Sequence, residues 1–523
     1  MNGKSELADA PAFAGSAQSV LTDRAVWAIA AAAVAIHMAT AGGYGYFRDE
    51  LYYIACSDHL AFGYVDHPPL SILILAVQRH LFGDSLFALR LFPALASGAL
   101  VLLSAVLAAE LGADSFGRAL TGLCILATPV FLATQNFYSM NAFEPLFWTA
   151  AAYTIVRLVN TGNQRQWVVF GAIAGLGLEN KHSMLFLCFG LGVGFVLTDW
   201  RRFLKSKWLW IGAAVAFALF TPNLIWEANN HWATLEFMRN AQRDKNYHSS
   251  VVEFVVSQII VIGPFNFPVW LAGLYFYLFD AEGRRYRAFG FAFLAVAALM
   301  TIQGAKAYYL SPIYPIMLAG GAVQIGEFCR ERDLRWPKPA LVGALIASLV
   351  VFALFVMPIL PPAMLVKLQS GMTPKAHSVL EGERNEYVGL PQTLADRFGW
   401  PEMTQAVEQV YRSLPESERA RCAIVTSNYG EAGAIDFFGR KLGLPPASSL
   451  HNNYWIWGEH PPDADVVIVV GSSEEELRRV FAQVDRAAVF RCEYCMPYES
   501  NLPIFVCRGL KVPGLWSRAK RFI

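Results

Sequence analysis

The chain has 523 residues, 55% hydrophobic and 16% charged, against roughly 45–50% and about 25% in an ordinary soluble protein. That composition excludes a purely soluble enzyme. With 42 Lys+Arg against 41 Asp+Glu the formal charge is +1, so no basic face invites nucleic acid and no acidic one a cationic partner. Eight cysteines are too few for a disulfide scaffold, and they contain no double C-x-x-C zinc pattern.

Residues 1–22 are small and polar without periodicity, which predicts a disordered cytoplasmic tail over 1–24. Apolar runs of the kind that cross a bilayer, about 17–25 residues long, then recur as far as residue 360. Eleven are predicted: 25–41, 86–111, 116–134, 142–159, 168–178, 184–197, 208–225, 251–278, 288–302, 308–325 and 340–360. The first is too long for a signal-peptide core, although Ala39-Thr40-Ala41 has the form of a cleavage site. The fifth and sixth are short, with only residues 179–183 between them, and also fit a re-entrant hairpin. With the N-terminus inside, sixteen Lys and Arg fall in inner loops and seven in outer ones. By the positive-inside rule, residues 25–360 form the membrane domain and 361–523 an extracytoplasmic one.

Beyond Pro361 the composition is that of a globular domain. β-type runs at 423–427, 466–471 and 504–508 alternate with helical patterns at 430–442 and 473–484, an α/β signature. Ser472 or Ser473 is the expected N-cap, followed by Glu474, Glu475 and Glu476 in the first turn. Cys422, Cys492, Cys495 and Cys507 lie on the oxidising side. Cys495 with Cys507 is the preferred pair, although four cysteines allow three connectivities.

The first outer loop, 42–85, carries the densest chemistry. Arg48, Asp49 and Glu50 stand beside Tyr52 and Tyr53 at the end of a span, where charges are costly unless paired or functional. Asp66-His67-Pro68-Pro69 then fixes an extended turn into 70–81, an apolar segment too short to span and suited to the interface. The bland alternative is a solvated loop with interfacial aromatics. Residues 226–250, with Trp226, Trp232, Arg239, Arg243 and Tyr247, read as an amphipathic surface helix in preference to a lid.

Several motifs together resemble the C-type (GT-C) polyprenyl-phosphate-dependent glycosyltransferases, a group that includes protein O-mannosyltransferases and bacterial aminoarabinose transferases. They are Arg48-Asp49-Glu50-x-Tyr52-Tyr53, GYVDHPPL at 63–70, the F-G-x-S-x-x-A-L-R-L-F-P entry at 82–93, YSMNAFEPLFW at 138–148, GLGLENKHSMLF at 175–186 and KAYYLSPIYP at 306–315. NYGEAG at 428–433 is similar to the extracytoplasmic domain of bacterial members. The resemblance implies a polytopic α-helical membrane protein with a C-terminal α/β domain. It would work at the extracytoplasmic face of a bacterial inner membrane, moving a sugar from a polyprenyl-phosphate donor to a lipid, glycan or protein acceptor.

In that family the Asp of the acidic pair faces the acceptor as general base or orienting group; the matching residue is Asp49, taken here as general base, with Glu50 either assisting catalysis or structural. A leaving phosphate needs cationic or hydrogen-bonding partners. Arg48, Lys181 and Lys306 are candidates by charge, against the plainer role of lysines snorkelling at the interface, and Tyr309 is implied by resemblance. Tyr52, Asp66, His67, Glu144, His182 and Tyr308 are expected to line the substrate site. Glu144 also suits a helix N-terminus. His67 and His182 could ligate a metal with Asp49 or Glu144, but no H-x-x-x-H spacing assigns one, so a divalent cation stays open. The alternative is a lipid or sugar transporter or flippase, which the lack of an internal repeat disfavours; a sensor built on the C-terminal domain is a third.

Overall fold

The computed structural model describes residues 16–244, 250–370, 389–459, 464–512 and 519–523. The apolar runs fold as helices, and Pro and Gly break several of them. Run 116–134 divides into Ser115–Leu126 and Pro129–Thr134, with Thr128 extended ahead of its proline. Run 251–278 divides into Val251–Ile262 and Phe267–Leu278, bent by 110° at Gly263, whose φ is 101°. Run 308–325 opens as the 3-10 segment Ala307–Ile313 before Tyr314–Glu331. Among the described residues, four helices are long and apolar enough to cross a membrane, or up to six if each bent pair forms one span. Runs 116–134, 251–278 and 308–325 are thus broken helices, whose breaks hydropathy alone does not mark.

The fifth and sixth runs are the helices Gln166–Asn180 and Met184–Leu197. They pack on different partners and do not close as a hairpin. Gly171 lies directly against the backbone of Gly212 in Lys207–Asn229, and Gly194 against Ala288 in Arg287–Ile302. At both contacts a Cβ would collide, so glycine permits the close crossing.

Polar loops gather at the two ends of the bundle. At one end Arg118 pairs with Asp23 at 2.9 Å, Arg157 with Glu110 at 2.9 Å, and Trp200 Nε1 donates to the Arg285 carbonyl at 2.9 Å. These are loops assigned to the inside. The first outer loop, residues 138–144, 180–183 and 306–309 share the other end. There Leu70–Phe82 is the expected short helix, and within 226–250 the helix is Ala233–Asp244; Tyr247 lies outside the described residues. Part of the segment expected to be disordered is helical instead: in Ser16–Leu21, Val20 packs with Val26 and Ala105.

The C-terminal sheet is mixed. Its strands are β1 (Cys422–Thr426), β2 (Ala447–Ser449), β3 (Val466–Val470), β4 (Phe481–Phe490) and β5 (Leu502–Leu510), in the order β2-β1-β3-β5-β4. β1 runs parallel to β2 and β3, while β5 is antiparallel to β3 and β4. Ser473 caps Glu474–Val480 by accepting from the Glu476 N–H. That helix ends at Val480, earlier than expected, because Phe481 enters the edge strand β4, which pairs with β5 along its length. The disulfide joins Cys492 to Cys495, and Cys422 and Cys507 are free and buried. The expected Cys495–Cys507 pair is thus corrected: Cys507 is held in register opposite Val467 within the sheet, and its C-x-x-C neighbour is nearer to Cys495.

One ion pair fixes the outer helix, Arg48–Asp58, to the bundle. Glu50 accepts from Arg90 Nε at 2.9 Å and Nη2 at 2.7 Å, from the Phe47 N–H at 2.8 Å and from the Tyr138 N–H at 2.8 Å. Arg90 also donates to the Ala41 and Gly45 carbonyls, tying in the end of Arg24–Thr40. Both side chains are fully enclosed, at 1% and 0% exposure. Removing one partner of such a pair strands a buried charge, a cost of about 3–5 kcal/mol. Arg90→Ala should therefore lower the thermal midpoint of the detergent-solubilised protein steeply, read by intrinsic fluorescence. Glu50→Leu with Arg90→Met should recover only part of the loss, since the Phe47 and Tyr138 N–H groups stay orphaned.

Candidate active site

Asp49 and Glu50 are neighbours on a helix, so their side chains diverge by about 100°. Glu50 points inward, and its four hydrogen bonds fill the roughly four acceptor positions of a carboxylate. Nothing remains to take a substrate proton. Sequence adjacency grouped Glu50 with Asp49 as catalytic; its geometry makes it an anchor. Asp49 keeps 32% of its side chain exposed, lies 3.6 Å from Arg48 Nε, and accepts a 3.0 Å hydrogen bond from the Tyr429 hydroxyl.

Tyr429 belongs to the C-terminal domain. Asn428 caps the helix Tyr429–Phe438 by accepting from the Gly430 and Glu431 N–H groups. Gly430 then sits on Arg48 and Gly433 on the Leu51 backbone. The Tyr429 ring stacks on Tyr52 at 4.6 Å. Tyr52 donates to Asp66 Oδ1 at 3.0 Å, and burial pushes the Asp66 carboxyl above its ordinary range. His67 lies 4.0 Å from the same carboxylate, packed against Tyr53 and Tyr64. Tyr52, Asp66 and His67 thus form one wall beside Asp49.

Arg48 turns toward the C-terminal domain. It donates to the Tyr498 hydroxyl at 2.9 Å and lies 3.6 Å from Asp396. The sequence grouped Arg48 with the donor phosphate; these two contacts are with the C-terminal domain. Behind it, Glu431 and Glu499 are buried together and linked through Asn428. Burial pushes Glu431 up to about 7, and burial together with the Glu431 charge raises Glu499, opposed in part by Arg48.

A second cluster contains most of the expected phosphate residues. Lys181 Nζ donates to Glu144 Oε2 and Asn141 Oδ1, each at 2.8 Å, and lies 5.2 Å from the Tyr309 ring centroid and 6.0 Å from that of Tyr308. Ser183 also donates to Glu144. Glu144 therefore holds Lys181 in place, but it does not open its helix: Met140–Thr161 is capped by Ser139 and has no acidic residue in its first turn. Lys306 precedes the same 3-10 segment as the two tyrosines. His182 bonds Asn223 Oδ1 at 3.1 Å, and Asn223 Nδ2 donates to the Phe62 carbonyl at 3.0 Å, tying this cluster to the first outer loop. Among the described residues, no three His, Cys, Asp or Glu side chains converge to hold a metal ion.

The start of the helix Met140–Thr161 joins the two clusters. The Tyr138 N–H donates to Glu50, the Met140 N–H donates to the Tyr53 hydroxyl, and Asn141 receives Lys181. Sequence reasoning missed Tyr429, Tyr498, Asp396 and Asn453, whose Oδ1 accepts from the Val65 N–H at 2.7 Å and lies 3.1 Å from the Tyr52 hydroxyl oxygen. The available signal was NYGEAG, which contains Tyr429 but no feature that assigns it to Asp49.

The helical bundle is thus capped by a mixed α/β domain whose Tyr429 reaches Asp49. Residues 66–226 match the family model of dolichyl-phosphate-mannose-protein mannosyltransferases. An undecaprenyl phosphate-α-4-amino-4-deoxy-L-arabinose arabinosyl transferase of Pseudomonas fluorescens is 28% identical over 166 residues, which is 30% of this chain and 30% of that protein. The match to that relative thus spans under a third of its length. The fold likeness extends further. ArnT from Cupriavidus metallidurans in the apo state aligns over 94% of this chain and 98% of its own, with a TM-score of 0.60 at 14% identity. The undecaprenyl phosphate-bound form of ArnT covers 93% and 98%, with a TM-score of 0.55 at 15% identity. At such identity the likeness is one of fold.

The Glu431–Glu499 pair has a consequence for stability. A carboxyl held above its unfolded value stabilises the fold most below the unfolded value, near 4.5, and that contribution is lost as pH rises through about 7. The thermal midpoint in nanodiscs should accordingly fall between pH 5 and 7.5, and Glu431→Gln should flatten the fall.

Proposed function

We propose that this protein is a membrane glycosyltransferase that moves a sugar from a polyprenyl-phosphate donor, undecaprenyl phosphate being the carrier in its bacterial relatives, to a hydroxyl at the extracytoplasmic face of a bacterial inner membrane. Residues 25–360 would carry donor binding and catalysis, and 361–523 would close the acceptor side. The observation that carries this is the pairing of an accessible carboxylate, Asp49, with a nearby cluster of one lysine and two tyrosines around Glu144.

Asp49 takes the proton of the acceptor hydroxyl as its oxygen attacks the anomeric carbon. The carbon–oxygen bond to phosphate breaks in the same displacement, and polyprenyl phosphate leaves. Lys181, steadied by Glu144 and Asn141, meets the developing phosphate charge with Tyr308, Tyr309 and Lys306. Tyr52, Asp66, His67 and His182 shape the space between. One base and one displacement imply inversion, since a double displacement needs a carboxylate nucleophile of its own. The acceptor class is a lipid, glycan or protein hydroxyl.

Three variants test these roles with purified protein in nanodiscs and radiolabelled polyprenyl-phosphate sugars. Asp49→Asn should lower transfer by about 10²–10⁴-fold while leaving the folded protein intact, the usual worth of a general base. Lys181→Met should slow transfer without restoring it at high acceptor concentration. Tyr429→Phe removes the hydrogen bond that orients the Asp49 carboxylate and should lower kcat for transfer several-fold while leaving the thermal midpoint nearly unchanged. Undiminished transfer by Asp49→Asn would remove it from catalysis.

A further inference from the structure

The outer helix Arg48–Asp58 and the helix Tyr429–Phe438 lie side by side, Gly430 on Arg48 and Gly433 on Leu51. Their N-terminal ends meet at Asp49. Their C-terminal ends flank a groove of about 290 Å³, which shares Ala55, Asp58, Asp436 and Arg440 with an adjoining hollow of about 140 Å³. The larger space is close to the lower end, about 300 Å³, of small-molecule sites. None of the residues assigned above to proton transfer or phosphate binding lines it.

The groove combines an aromatic floor with a polar rim. His59 stacks on Trp457 at 4.4 Å between ring centroids, and Tyr454 meets the same indole edge-on at 4.8 Å. Asp436 Oδ1 accepts from the Ala447 N–H at 2.8 Å and Oδ2 from the Tyr454 hydroxyl at 2.7 Å. A carboxylate with one bond per oxygen keeps acceptor capacity on each. Asp58 is bonded by Arg79 at 2.7 Å, while the Arg440 guanidinium, 74% exposed, reaches it at only 3.4 Å. Arg440 is therefore a donor that a ligand can recruit.

We propose that this groove is a saccharide-binding subsite that holds a sugar unit of the acceptor away from the reacting hydroxyl. A pyranose offers an apolar C–H face to Trp457 and a ring of hydroxyls to Asp58, Asp436 and Arg440. The charged rim would desolvate against a prenyl chain without compensation, and two carboxylates repel a phosphate. Asp58 follows Asp49 by nine positions, which at the helical rise is ~13 Å along the axis. A single ring cannot touch both, whereas an oligosaccharide running along the paired helices can. The subsite rests on the glycosyltransferase reading and narrows its acceptor to a saccharide-bearing one.

Saturation-transfer NMR on the full chain in nanodiscs tests it, with maltose, lactose and diacetylchitobiose as probes. At least one disaccharide should receive saturation at its ring protons, equally in wild type and Asp49→Asn. Trp457→Ala should weaken that binding about tenfold, by loss of the aromatic face. Arg440→Ala, at an exposed position that leaves packing untouched, should weaken it several-fold. If no disaccharide receives saturation, or both variants bind as wild type does, the subsite is wrong. Binding is read without turnover, so that failure is separable from a failure of sugar transfer, which would count against the glycosyltransferase reading instead.

Discussion

The buried Glu50–Arg90 pair is the constraint on which the rest of this architecture depends. Taking two charges out of water is expensive, and the cost is met only because every polar position on Glu50 is used. The bonds of the pair draw three separate pieces of chain to one point: the end of the first apolar helix through the Ala41 carbonyl, which accepts from Arg90, and, through N–H groups that donate to Glu50, the start of the outer helix at Phe47 and the approach to the Met140–Thr161 helix at Tyr138. With that point fixed, helical periodicity places Asp49 on the open side. The anchor and the accessible acid are adjacent in sequence because one positions the other.

The site is consequently assembled from both halves of the molecule. The membrane half contributes Asp49 and the Lys181–Glu144 cluster. The C-terminal half contributes Tyr429, and its Tyr498 and Asp396 restrain Arg48. Arg397 deepens that connection: it is fully buried, and its Nη1 donates to Asn136 Oδ1 at 2.9 Å, just ahead of the segment that receives Glu50. Burial holds its guanidinium well below the usual range, with the nearby Arg90 charge acting in the same sense. A domain joined by such a residue is not a passive appendage, because loosening it would disturb Asp49 and the Glu50 anchor together.

Much of this was legible in residues 44–70, 138–148 and 175–186, where charged and aromatic residues interrupt apolar sequence. Lys181, Glu144, Tyr308 and Tyr309, far apart in sequence, do converge. What sequence could not supply was direction and distance. Nothing in the string Arg48-Asp49-Glu50 says which acid faces inward; that depends on Arg90, forty positions later. Hydropathy did not show where helices break, because Pro129, Gly263 and Pro312 interrupt runs without lowering their apolar content. In the C-terminal domain the helical pattern runs on to 484, into the start of β4, whose burial follows no simple alternation, and a lone C-x-x-C is a weak signal for the Cys492–Cys495 bond.

The stereochemistry of transfer tests the single-base displacement most directly. Proton NMR of the newly formed glycoside, with a donor of known anomeric configuration, reads the outcome at the reacting carbon. Asp49 acting alone as base predicts inversion in every product molecule. Retention would require a covalent or doubly displaced intermediate, and would contradict the assignment of Glu50 to structure and Asp49 to proton transfer.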